Sequence, residues 1–66
     1  MREGLRKYRK SQGLTQQGMA DKMGVSRQTY NYVEYGSRNG TMTFWYKLQK
    51  AFNIPDTKLG GLMRNE

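Results

Sequence analysis

Neither cysteine nor histidine occurs anywhere in the 66 residues. The absence of thiols excludes a disulfide framework and thiolate metal sites, and the absence of imidazole removes the other common zinc ligand. Acidic residues are scarce: five carboxylates lie scattered along the chain, with no nucleophile and base at a spacing that would bring them together. Neither catalysis nor a bound cofactor or metal is expected. No apolar run approaches the roughly 18 residues of a membrane-spanning helix, and the opening Met1-Arg2-Glu3-Gly4 lacks the apolar stretch of a signal peptide. A cytoplasmic location is the expectation. The length suits one domain, residues 1–66, whose core must be small, because a chain of this size buries only about 60% of its unfolded surface. Packing alone has to hold it.

What is abundant is positive charge. Twelve Lys and Arg against five Asp and Glu leave a net charge of +7. On so small a body this field attracts polyanions, nucleic acid first among them. Anionic membranes and acidic proteins would respond to it too, and a basic face can be merely solvated, so position must decide. Five of the twelve cations, Arg2, Arg6, Lys7, Arg9 and Lys10, crowd into the first segment. They are expected to act mostly as a long-range attraction, without individual phosphate partners.

Apolar spacing and punctuation predict an all-α fold, a compact bundle of five short helices. Leu5 and Tyr8 stand at i, i+3 in a first helix over 2–12, closed by Gly13. Thr15 is a good N-cap for a second over 16–23, which turns Met19, Ala20 and Met23 inward and stops at Gly24. Ser26 caps a third over 27–35, ended by Gly36. After the polar loop Ser37-Arg38-Asn39-Gly40, a fourth helix over 43–52 offers Trp45, Leu48 and Phe52 at i, i+3, i+7. A fifth over 56–63 tolerates Pro55 in its first turn and buries Leu59 and Leu62. The expected core comprises Leu5, Leu14, Met19, Ala20, Met23, Val25, Tyr30, Val33, Trp45, Leu48, Phe52, Ile54 and Leu59.

The third helix carries the chemistry. At about 100° per residue, Arg27, Gln28, Asn31, Tyr32 and Tyr35 share one side, Tyr30 and Val33 the other, and Thr29 lies at the border. One face can pack while the other reads. The major groove of B-DNA, about 12 Å wide, admits such a helix. Arg can fork onto guanine, and Gln or Asn can pair with adenine through two hydrogen bonds, each worth roughly 1–3 kcal/mol of discrimination. The same residues are also good helix formers that populate ordinary surfaces. The turn Gly24-Val25-Ser26 shifts the balance towards reading, since it sets the next helix steeply across the previous one and leaves it protruding.

From Leu5 to Leu62 the chain resembles the lambda-repressor/Cro family, also called the xenobiotic-response-element family, of helix-turn-helix DNA-binding domains. The resemblance is carried by Gly13-Leu14-Thr15-Gln16, by Met19-Ala20-Asp21-Lys22-Met23-Gly24-Val25-Ser26-Arg27-Gln28-Thr29, by Val33-Glu34-Tyr35-Gly36, and by Lys47-Leu48 through Ala51-Phe52-Asn53-Ile54. It implies a lambda-repressor-like five-helix bundle and a sequence-specific regulator of double-stranded DNA, a Cro-like repressor of a phage or mobile element, homodimeric on a palindromic operator. By the same resemblance Arg27, Gln28 and Tyr32 match positions that contact base edges or nearby backbone, and Asn31 joins them from its place on the wheel. Gln16 and Thr29 match phosphate-contacting positions, and Ser37, Arg38 and Asn39 match a loop that grips the backbone. Tyr35 faces outward, where it could reach a phosphate. Arg9 and Glu34 match a structural salt bridge, and a lone carboxylate at the edge of a packed face needs such a cation.

Two departures stand out. Gly18 occupies the place of the family's usual acidic residue, so the capping box is missing and a short helix is weakened. Tyr30, Tyr32 and Tyr35 also make the third helix unusually aromatic. One such helix reads only a few base pairs, so useful specificity needs two copies about 10 base pairs apart. The pairing surface is expected between Asn53 and Met63, with Lys58, Leu62 and Met63 contributing. Two other readings stay open: a restriction-modification controller or antitoxin-type regulator that also holds a protein partner, and a basic protein-interaction module. No small-molecule effector is evident.

Overall fold

Threonine and serine hydroxyls start three of the helices, and residues in the left-handed conformation end them. A computed structural model describes residues 1–65. Over these the chain is all-helical: α1 Glu3–Ser11, α2 Gln16–Met23, α3 Arg27–Tyr35, α4 Met42–Phe52 and α5 Asp56–Met63, with no strand among the described residues. Thr15 Oγ1 accepts from the Gly18 N–H at 3.0 Å and Ser26 Oγ from the Thr29 N–H at 3.1 Å, satisfying donors that the first turns of α2 and α3 would leave orphaned. Gly24 and Gly36 close these helices at φ of +73° and +83°, where a side chain would be strained.

The boundaries differ from expectation at three places. Arg2 lies outside α1, which begins at Glu3 and ends at Ser11 rather than running from 2 to 12; the arginine has other partners, described below. α4 begins one residue early, at Met42, because Thr41 supplies its cap, accepting from the Phe44 N–H at 3.1 Å. Pro55 stands extended just ahead of α5 instead of within its first turn.

The core gathers Leu5, Met19, Ala20, Met23, Tyr30, Val33, Trp45, Leu48 and Ile54, together with Phe44 and Leu62. Phe44 was not expected there. Its ring lies 6.2 Å from that of Tyr30 and 4.9 Å, edge-on, from that of Trp45, so the apolar stripe of α4 is wider than one row. Leu14, Val25, Phe52 and Leu59, expected inside, are only partly buried and pack against the core from its rim. Phe52 meets Tyr8 edge-on at 5.7 Å there. Leu62 is spent on its own chain's core and is not an outward pairing residue.

α2 packs on α3 and α4, while α1 packs on α3 and α5. The α1–α5 contact is close enough that a Cβ on Gly4 would lie 2.6 Å from the Gly61 carbonyl oxygen. No helix among the described residues is long and apolar enough to cross a membrane. This packing buries one side of α3 and leaves the other free.

Candidate nucleic-acid interface

The buried side of α3 is fixed by one carboxylate. Glu34, 1% exposed, accepts from Arg9 Nε at 2.9 Å and Nη2 at 3.2 Å, from Gln16 Nε2 at 3.1 Å and from Tyr30 Oη at 2.6 Å. Arg9 also donates to the Leu14 carbonyl at 2.9 Å. Burial penalises the ionised carboxyl, but the hydrogen bonds from Arg9, Tyr30 and Gln16 outweigh that penalty and hold its pKa below the ordinary range. Tyr30 is pushed strongly the other way, first by burial and then by its bond to the anion. The network ties α1, α2 and α3 together through Glu34 and so sets the rotation of α3 about its axis.

That rotation decides what faces out. Arg27, Gln28, Thr29 and Tyr35 are exposed, and Asn31 and Tyr32 are half-buried. The outward side chains are already ordered: Gln28 Nε2 donates to Tyr32 Oη at 2.9 Å, and the Arg38 guanidinium lies 4.9 Å from the centre of the Tyr32 ring. Thr29 Oγ1 accepts from Ser26 Oγ at 2.8 Å. The Ser37 and Arg38 N–H groups donate to the Tyr32 carbonyl at 2.9 and 3.2 Å, folding the loop back along α3. An open hollow between α3 and this loop is lined by Gln28, Thr29, Tyr32, Arg38 and Asn39 among others, and a shallower one runs over Arg27, Asn31 and Tyr35.

Two candidates point elsewhere in this structure. The Gln16 amide turns inward to Glu34, which leaves its second N–H free for another acceptor. The Asn31 Oδ1 is buried without a hydrogen-bond partner, so pairing with adenine requires the amide to turn outward.

Arg2 was expected to supply only diffuse charge. It is instead 3% exposed, and its guanidinium donates to the carbonyls of Val33 at 2.6 Å, Arg38 at 2.8 Å, Asn39 at 3.3 Å and Met63 at 2.9 Å. Burial lowers its pKa, and the cation sits where the carbonyl-rich end of α3 favours it. A signal was available: an arginine ahead of a helix N-terminus opposes the dipole there and calls for another explanation.

Two capped helices joined through Gly24-Val25-Ser26, the second buried on one side and lined with Arg, Gln and Tyr on the other, define a helix-turn-helix DNA-binding domain. The chain belongs to the Cro/C1-type helix-turn-helix family, whose model, described as Helix-turn-helix, matches residues 5–59. This is a class of DNA-binding transcriptional regulators, not enzymes. The uncharacterized HTH-type transcriptional regulator YqaE of Bacillus subtilis is 45% identical over 65 residues, 97% of this chain and 53% of its own length. The chain therefore spans about half of that relative. An uncharacterized HTH-type transcriptional regulator of Archaeoglobus fulgidus is 38% identical over 80% of this chain and 76% of its own, and another, of Methanocaldococcus jannaschii, 37% identical over 82% of each. No solved structure matches the chain.

Proposed function

We propose that this protein is a sequence-specific repressor that reads the major groove with α3 as a homodimer on a palindromic operator, a cytoplasmic, Cro-like regulator of a phage or mobile element. The observation that carries the reading is the pre-ordered strip Gln28–Tyr32–Arg38 on the free side of α3. Holding these side chains before DNA arrives lowers the ordering cost of binding. Gln28 is the principal base-reading residue, its amide suited to adenine, with Arg27 aimed at guanine or a phosphate and Asn31 and Tyr32 beside them. Thr29, Tyr35, Arg38, Asn39 and the second N–H of Gln16 take phosphates, which fix register without reading sequence.

The test is selection of bound duplexes from a random library at physiological salt, for the wild type and Gln28→Ala. A palindromic consensus that relaxes at one symmetric pair of positions in the variant supports the reading. Absence of enrichment with the fold intact refutes it. A regulator that also holds a protein partner is a second reading, favoured by Met42 and Tyr46, 91% and 59% exposed on α4. Recovery of a stoichiometric protein partner on purification from the native host, lost in Met42→Ser/Tyr46→Ser, would establish it.

A further inference from the structure

Arg2 joins three stretches of chain that sequence keeps apart. Its main-chain N–H donates to the Glu34 carbonyl at 2.8 Å. Its guanidinium bonds carbonyls of α3 (Val33), of the α3–α4 loop (Arg38 and Asn39) and of the last residue of α5 (Met63). The Trp45 ring lies 5.6 Å from the guanidinium, and the Trp45 Nε1–H donates to the same Asn39 carbonyl at 3.2 Å.

We infer that Arg2 is a positioning residue for DNA recognition, holding the loop backbone at Arg38 and Asn39 from inside so that their side chains are presented beside Tyr32 on the reading face. This rests on the DNA-reading function proposed above and deepens it. The carbonyls of Arg38 and Asn39 turn in to Arg2, while both residues are exposed. A loop side chain grips a phosphate well only when its backbone is already ordered. The Arg38 guanidinium lies over Tyr32, and Tyr32 receives Gln28, so the order imposed by Arg2 reaches the base-reading residue through two contacts. Arg2 itself, buried as it is, does not meet DNA.

The chemistry singles out arginine. These bonds use four of the five guanidinium N–H groups, whereas a lysine ammonium, one point with three donors, cannot span the same acceptors. Arg2→Lys therefore keeps the charge and removes the geometry. A residue that acted only by long-range attraction would tolerate it.

The experiment measures affinity for the library-selected duplex, and its salt dependence, for wild type, Arg2→Lys, Arg38→Ala and the double variant. Each is kept well below its melting midpoint, with helicity matched to wild type by circular dichroism. We expect Arg2→Lys to lose about tenfold, with a log–log salt slope shallower by about one, as for one lost phosphate contact. The double variant should lose no more than about twofold beyond Arg38→Ala, because both act on one contact. A merely structural role would leave the slope of the folded protein unchanged. Wild-type affinity and slope in Arg2→Lys, or losses that multiply in the double variant, would overturn the inference. Failure of the DNA reading looks different: the folded wild type enriches no duplex from the library at all. Should Arg2→Lys not fold, Trp45→Phe, which deletes the indole donor to Asn39, replaces it in the same cycle; multiplicative losses with Arg38→Ala, or none at all, again count against the inference.

Discussion

Replacing Glu34 by Gln tests whether one ionised carboxylate holds α3 in place. The substitution keeps the shape, removes the charge and sets an amide NH2 among groups that donate, namely Arg9, Gln16 and Tyr30. Breaking a buried ion pair by removing one partner costs about 3–5 kcal/mol. The Arg9 side chain retains 12% exposure and its bond to the Leu14 carbonyl, so the low end, about 3 kcal/mol, is expected. Against a total of about 3–10 kcal/mol for a chain of this length, the variant should be close to unfolding. Urea denaturation followed by circular dichroism measures the loss. Acid adds a second readout. The folded-state pKa of Glu34 lies below its ordinary value near 4.5, so its contribution is complete above that value and disappears as pH falls through the lower folded one. The wild type should lose stability more steeply than Glu34→Gln on acidification below about pH 5. A loss under about 1 kcal/mol, together with parallel acid profiles, would refute the reasoning.

Three further outcomes are expected. Gly4→Ala should destabilise by about 1–3 kcal/mol in thermal melts, since the new methyl meets the rigid Gly61 carbonyl at 2.6 Å; unchanged stability would mean that α1 and α5 separate freely. Gly18→Ala should instead stabilise by up to about 1 kcal/mol, because the Cβ meets the movable end of Leu14 at 3.3 Å; a lower melting point would show that Leu14 cannot give way. In alkali, Tyr30, raised above its ordinary value near 10 chiefly by burial, contributes stability that is complete below that value and lost as pH rises beyond it. Tyr30→Phe should therefore lose stability less steeply above about pH 10, and coincident profiles would count against a buried neutral phenol.

The sequence by itself determined the helices, because their signals are local. Thr15, Ser26, Gly24 and Gly36 act on backbone groups within one turn, and the two-sided pattern of α3 is a property of nine consecutive residues. The sequence put Gln28 and Tyr32 on one side of α3 for the same reason, and the structure adds the hydrogen bond between them. What only the tertiary structure decided depends on acceptors far along the chain. Arg2 reaches carbonyls 31 to 61 residues away; its place ahead of a helix N-terminus marks it as unusual, but no local rule names those acceptors. The inward turn of Gln16 to Glu34 and the central place of Phe44 between Tyr30 and Trp45 arise in the same way. Periodicity assigns a residue to a face of its own helix, whereas burial and hydrogen bonding depend on what the other helices bring against that face.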